Sequence, residues 1–72
     1  MNDAINRSVI DNARKIVELL KENNNRMSSW DIKLKLGYSN SMLYMAIGYL
    51  VSTNKINVYS KDLIYIIELI NP

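Results

Sequence analysis

Nineteen consecutive residues between Lys35 and Lys55 carry no charge, and this run constrains the fold more than any other part of the chain. It opens with Gly37 and Ser39, residue types that end one helix and cap the next. The apolar residues that follow have the 3.6-residue period of a helical face: Leu43, Ala46, Ile47 and Leu50. The run therefore predicts a tight turn and then a helix at about residues 40–53.

An amphipathic helix is predicted nearer the N-terminus, at about residues 8–22. Its apolar positions have the spacing of one helical face: Val9, Ile10, Ala13, Ile16, Val17 and Leu20. Asn2, Asn6 and Ser8 are alternative N-caps, and Ser8 has capping-box spacing to Asp11. The three asparagines at 23–25 end the helix, because Asn favours turns and the left-handed conformation.

The segment between these two helices fits two patterns. Residues 30–36 alternate apolar and charged side chains, which is typical of a strand. Ser28 and Asp31, however, have the spacing of a helix start, and Gly37 stands where a helix C-cap belongs. These start and stop signals favour a short helix at about residues 29–36.

That short helix would have two apolar sides. Ile32 and Leu36 lie on one of them, and Trp30 and Leu34 lie on roughly the opposite one. One pair joins the core. The other pair packs against a neighbouring helix or is exposed as an apolar patch. The simplest interpretation is that Trp30 covers the edge of a small core.

From Lys55 onward the period changes to two, which indicates strands at about 56–60 and 63–69 joined by a tight turn at Lys61 and Asp62. Both faces of the last strand are apolar. Leu63, Tyr65, Ile67 and Leu69 form one face, and Ile64, Ile66 and Ile70 form the other. One face packs on the helices. A domain this small has no second layer to cover the other, so we expect a homodimer or a protein partner there.

Three helices followed by a two-stranded wing predict a single α+β domain, mostly helical, over residues 1–72. This is the element order of a winged helix-turn-helix, in which the second helix of the motif normally lies in the DNA major groove.

The composition argues against catalysis. The chain has no cysteine and no histidine, so disulfides, Cys-based zinc sites and a histidine general base are excluded. Its acidic residues are dispersed along the sequence, with no pair that we can place in one cleft. We therefore expect a protein that is not an enzyme and has no cofactor, metal or small-molecule substrate. The polar N-terminus is unlike a signal peptide, and the longest C-terminal apolar run is far shorter than a membrane span, so we expect a cytoplasmic protein.

The segment GYSNSMLYMAIGYLVSTNKI, residues 37–56, resembles the signature of the small stand-alone winged helix-turn-helix proteins of bacteria and archaea. That family has a Gly-Leu-Ser turn, a helix with Val-Tyr-Met-Ala-Leu-Gly-Trp-Leu, and Gly-Lys-Ile leading into the wing. The matching residues are Gly37, Ser39, Tyr44, Met45, Ala46, Gly48, Leu50, Lys55 and Ile56, with Tyr49 in place of the Trp.

The first helix adds to this resemblance, because Asn12-Ala13 and Lys15-Ile16 are similar to the family's Asn-Ala-Gly-Lys-Val-Trp. Arg14 replaces the Gly and Val17 replaces the Trp. The resemblance implies a helix-helix-helix-wing architecture with a short first strand near Met27.

Two functions remain open, and a DNA-binding transcription regulator acting as a small dimer stands first. The candidate base-reading residues are Asn40, Ser41, Tyr44, Met45 and Ser52. The candidate phosphate-binding residues are Lys33, Lys35, Lys55 and Lys61. The candidate dimer or partner interface comprises Trp30, Leu34, Ile64, Ile66 and Ile70. Against DNA binding stand a net charge of only +2 and a recognition helix without Arg or Lys.

The alternative is a protein–protein interaction module that has the winged-helix shape and makes no DNA contact. The uncharged helix supports it, because small residues at Ser41, Gly48 and Ser52 allow a partner helix to approach closely. Met and Tyr, present at Met45 and Tyr44, are favoured in protein interfaces.

Overall fold

The computed structural model describes residues 3–71. Its elements are α1 (Asp3–Glu22), β1 (Arg26–Ser28), α2 (Ser29–Leu36), α3 (Asn40–Ser52), β2 (Ile56–Lys61) and β3 (Ile64–Leu69). The predicted α+β winged helix-turn-helix architecture is confirmed, including the short first strand around Met27. We call the β2–β3 hairpin the wing.

The three strands form one antiparallel sheet in the order β1-β3-β2, so β3 is the central strand. Ile67 pairs with Met27 on one side and with Val58 on the other. Directly paired residues share a face of the sheet, so these three side chains point toward the helices. A further backbone bond, from Ile70 N–H to Lys55 C=O at 2.9 Å, extends the β2–β3 ladder past β3.

The core lies between α1, α3 and the inner face of the sheet. Its largest fully buried side chains come from all three helices and β3: Ile16, Leu20, Ile32, Leu43 and Ile67. Tyr38, between α2 and α3, donates a buried hydrogen bond from its hydroxyl to the Asn12 carbonyl at 3.0 Å, which ties the turn to α1. Burial raises the pKa of the Tyr38 phenol above its ordinary value.

The ambiguous segment is a helix, as the start and stop signals predict. Ser28 Oγ accepts a hydrogen bond from the Asp31 N–H at 3.1 Å, and Gly37 ends the helix with a φ of 68°. Ile32 is fully buried, whereas Trp30 and Leu34 are 59% and 60% exposed. The pair that stays outside the core is therefore Trp30 and Leu34.

The predicted start of α1 near residue 8 is wrong, because the helix begins at Asp3. Asn6 and Ser8 lie inside the helix and cannot cap it, and the third candidate, Asn2, lies outside the described residues. Ile5 stands four residues before Val9, so it adds one turn to the apolar side of the helix. The predicted end is confirmed: the helix stops at Glu22, and two of the three asparagines that follow have positive φ.

The predicted turn of the wing is displaced by one residue. Lys61 belongs to β2 and pairs with Ile64, so the loop consists of Asp62 and Leu63. Their φ values are 51° and 69°, which makes this a two-residue hairpin of the type I′ class. Such a turn usually has Gly at its second position. Because this position is occupied by Leu63, the sequence pattern did not indicate the turn at Asp62 and Leu63.

Candidate nucleic-acid interface

Helix α3 is positioned by a cap at one end and by four core residues along its length. Ser39 Oγ accepts a hydrogen bond from the Met42 N–H at 3.2 Å and fixes the first turn. The predicted core face is buried: Leu43, Ala46, Ile47 and Leu50. The opposite side, which we call the outer face of α3, is exposed and consists of Ser41, Met45, Gly48 and Ser52.

Gly48 lies in the middle of this outer face, although a mid-helix Gly costs about 1 kcal/mol relative to Ala. A Cβ added at Gly48 would meet nothing within 4 Å. Packing within the chain therefore does not require a glycine there. The missing side chain at Gly48 would let the surface of a binding partner approach the helix backbone more closely.

One flank of α3 faces the wing across an open groove of about 410 Å³. Tyr44 and Ile47 of α3 form one wall, and Val58, Tyr65 and Ile67 of the wing form the rest. Tyr44 and Tyr65 are each about half exposed, so both phenol rings are accessible to a ligand. None of the described residues that line this wing groove is charged.

The other flank of α3 borders α1, across a second groove of about 350 Å³. Tyr49 and Thr53 of α3 line it together with Arg14 of α1 and Lys55, the residue before β2. Arg14 and Lys55 therefore share one basic groove, here called the α1 groove. The sequence pattern missed Arg14, because only the packing of α1 on α3 brings it beside Lys55.

The four predicted phosphate-binding lysines lie in separate places. Lys55 lines the α1 groove, Lys61 ends β2 at the tip of the wing, and Lys35 is exposed on α2. Lys33 is half-buried, and its Nζ lies over the Trp30 ring, 5.4 Å from the ring centre, in the position of a cation–π contact. Among the side chains that the structure describes, the one salt bridge joins Asp11 and Arg14, at 3.7 Å. None of the described acidic side chains forms a salt bridge with these lysines.

The predicted base-reading residues are all exposed. Asn40 begins α3, Ser41 and Met45 lie on the outer face, and Tyr44 turns toward the wing groove. Ser52 donates its hydroxyl hydrogen to the Tyr49 carbonyl at 2.8 Å, which leaves its oxygen lone pairs for a ligand.

The predicted partner residues divide into two locations. Trp30 and Leu34 protrude from α2. On the outer face of the sheet, Ile64 is about half exposed, while Ile66 and Ile70 are partly covered. An apolar groove that the sequence did not predict, of about 330 Å³, lies between the N-terminal half of α1 and Met42 and Met45 of α3.

Within residues 3–71 no group of three or more His, Cys, Asp or Glu side chains is arranged to hold a metal ion. None of the helices in that range is both long enough and apolar enough to span a membrane.

The arrangement of three helices and a wing agrees with a comparison against protein families. The family model described as "Winged helix-turn-helix domain (DUF2582)" matches residues 1–69. The chain belongs to this family. No match was found among curated proteins or among solved structures. As a member of the winged helix-turn-helix domain family, the chain has a fold that commonly binds DNA and is typically not enzymatic. In winged helix-turn-helix proteins that bind DNA, the helix at the position of α3 normally enters the major groove.

Proposed function

We propose that this protein is a DNA-binding module of the transcription-regulator type that acts in the cytoplasm as a small dimer. The outer face of α3 lies in the major groove in this proposal. Ser41 and Ser52 hydrogen-bond to base edges, and Met45 contacts apolar groups such as the thymine methyl. Asn40 and Tyr44 contact the edge of the same groove.

The observation that carries the proposal is a basic groove along one flank of an uncharged helix. Arg14 and Lys55 share the α1 groove, whereas Lys61 stands at the tip of the wing on the outer face of the sheet, with its pairing partner Ile64. A helix in the major groove runs between two phosphate backbones, so the α1 groove is placed to contact one of them. The small outer face, with Gly48 at its middle, allows the helix to approach the bases closely.

The affinity expected from this arrangement is modest. If Lys33, Lys35, Lys55 and Lys61 each neutralise one phosphate, the logarithm of affinity should fall with the logarithm of salt concentration at a slope of about −3.6 per chain. A dimer that binds one duplex with both copies would double that slope. Binding should therefore be strongest at low ionic strength.

The test is a fluorescence-anisotropy titration of a labelled 20-base-pair duplex of mixed sequence, repeated at several salt concentrations between about 20 and 200 mM. We expect saturable binding that weakens by about two orders of magnitude between 50 and 200 mM salt for a single chain. A protein that leaves the anisotropy unchanged even at 20 mM salt rules out DNA binding.

The dimer in this proposal is supported by the apolar side chains on the outside of the sheet. Ile64 and the partly covered Ile66 lie on the face opposite the core, and no helix of the described chain buries them fully. A second copy related by two-fold symmetry would bury the same patch on both chains. Trp30 and Leu34 of α2 offer further apolar area to the same or another partner.

Replacing Ile64 with glutamate should convert the dimer to a monomer. Ile64 pairs directly with Lys61 across the hairpin, so the new carboxylate faces an opposite charge and the wing should stay folded. Size-exclusion chromatography with light scattering measures the mass of each variant. Tyr65→Glu is the matched control, because it places the same charge on the next residue but on the other face of the wing. A wild-type chain that is monomeric at high concentration refutes the dimer, and so does a mass that I64E leaves unchanged.

The interaction-module alternative is favoured by a specific observation, the exposure of Trp30 and Leu34 four residues apart on α2. Trp is among the residues that contribute most energy to protein interfaces. In this alternative α3 and the wing contact a protein and the lysines are ordinary surface charges. The salt titration separates the two, because only the DNA-binding proposal requires counterion release.

A further inference from the structure

The tip of the wing has an unusual residue in a strained conformation. Six described residues other than glycine have positive φ, and five of them are Asn or Asp. The sixth is Leu63, with a φ of 69°. The left-handed region brings the Cβ of an L-residue close to its carbonyl oxygen, a clash that Asn and Asp offset by local hydrogen bonding and that Leu does not.

No packing against the described residues 3–71 compensates for this strain, because Leu63 is fully exposed. Its side chain buries no apolar surface in the folded domain, and a glycine or asparagine would form the same two-residue turn at lower cost. An apolar leucine thus occupies a position whose positive φ is unfavourable for it. A contact outside the chain would account for it.

We infer that Leu63 is an apolar wedge that enters the minor groove and opens a base step when α3 lies in the adjacent major groove. This inference rests on the proposed DNA-binding function. Minor-groove proteins insert single Leu, Ile, Phe or Met side chains between base pairs and bend the duplex. A rigid hairpin that ends in a two-residue turn presents one such side chain at its tip.

The neighbours of Leu63 favour a DNA wedge over a protein contact. Lys61 and Asp62, which precede Leu63, are both charged and exposed. Ile64, which follows it, is about half exposed and pairs with Lys61 on the outer face of the sheet. The core of a protein interface excludes charge and requires a larger apolar surface. A wedge requires only one side chain, and Lys61 is placed to contact the flanking phosphate.

Asp62 provides an independent probe of the same geometry. A carboxylate beside the tip repels the phosphates that the wedge must approach, so it weakens binding if the tip touches DNA. Asp62→Asn removes that charge and keeps a residue that tolerates positive φ. Glu22→Gln is the matched control, because it removes one negative charge from an exposed position at the end of α1, two turns beyond Arg14.

The experiment uses a 20-base-pair mixed-sequence duplex with a donor dye at one end and an acceptor at the other. Leu63→Asn should raise the melting temperature by about 2–6 °C, because the strain is relieved. The same variant should bind the duplex roughly tenfold more weakly and lose the rise in energy transfer that reports bending. Leu63→Phe keeps the wedge and should keep the bend. Asp62→Asn should bind severalfold more tightly at 50 mM salt, and Glu22→Gln should change affinity by less than about twofold.

Greater stability combined with weaker binding cannot come from a folding defect, so the two signs together support the wedge. If L63N binds and bends the duplex as the wild type does, the inference fails while DNA binding stands. If the wild type binds no DNA, both fail. A loss of self-association in L63N with unchanged DNA binding overturns the inference in favour of a contact between copies.

Discussion

Replacing Ile67 with alanine is expected to lower the free energy of unfolding by about 2–5 kcal/mol. Ile67 is fully buried in the central strand, where it pairs with Met27 and Val58 and belongs to the core shared with the helices. A domain of this length is typically stable by about 4–11 kcal/mol, so the variant should be close to unfolding at physiological temperature. Urea denaturation followed by circular dichroism measures the change.

The matched control is Val58→Ala, because Val58 is the residue on β2 that pairs with Ile67 on the same face of the sheet. Val58 is 39% exposed, against 0% for Ile67, so both changes reduce a branched strand residue to alanine but only one leaves a sealed cavity. We expect V58A to cost at most about 1 kcal/mol. Equal losses in the two variants would mean that burial in the core does not determine the stability of the sheet.

The sequence predicted those parts of the fold whose signals are local. Ser28 and Ser39 cap the helices they precede, and Gly37 adopts the left-handed conformation that ends α2. The periodicity of α3 separated its core face from its outer face correctly, since each residue's side depends only on helical geometry.

What the sequence predicted less well depends on context. Ser8 and Asp11 have capping-box spacing, yet the helix continues through them, because spacing alone does not show whether the preceding turn is also helical. The predicted wing turn lies one residue too early. Leu63 has a low propensity for positive φ, so the turn was assigned to Lys61 and Asp62 instead of Asp62 and Leu63. Both differences concern element ends, where several assignments satisfy the same local pattern.

The candidate site divides in the same way. The composition of the outer face of α3 followed from periodicity, and its exposure agrees with that prediction. The flanks of α3 did not follow, because the α1 groove requires Arg14 of the first helix and Lys55, the residue before β2, to line the same groove. Residues 41 positions apart become neighbours only through tertiary packing, for which a single sequence has no pattern. That the outer face of α3 and the α1 groove contact DNA is a prediction, which the binding experiments test.

Changing the charge of residue 45 should shift DNA affinity in opposite directions. Met45 is 47% exposed on the outer face of α3, a helix with no charged residue of its own. Lys, Glu, Gln and Met have similar helix propensities, so the substitutions should leave stability nearly unchanged. At 50 mM salt we expect Met45→Lys to bind duplex DNA about tenfold more tightly and Met45→Glu about tenfold more weakly. The salt slope should steepen or flatten by about 0.9.

Met45→Gln is the neutral control, and it separates loss of the thioether from gain of charge. The sign of the response distinguishes the two candidate functions. On a DNA-binding face, Lys and Glu act oppositely because the ligand is a polyanion. On an apolar protein interface, either charge must be desolvated, so both variants should weaken the complex and Gln should weaken it less. Parallel losses of DNA affinity in M45K and M45E would mean that α3 does not face the phosphate backbone, and the major-groove orientation would have to be abandoned.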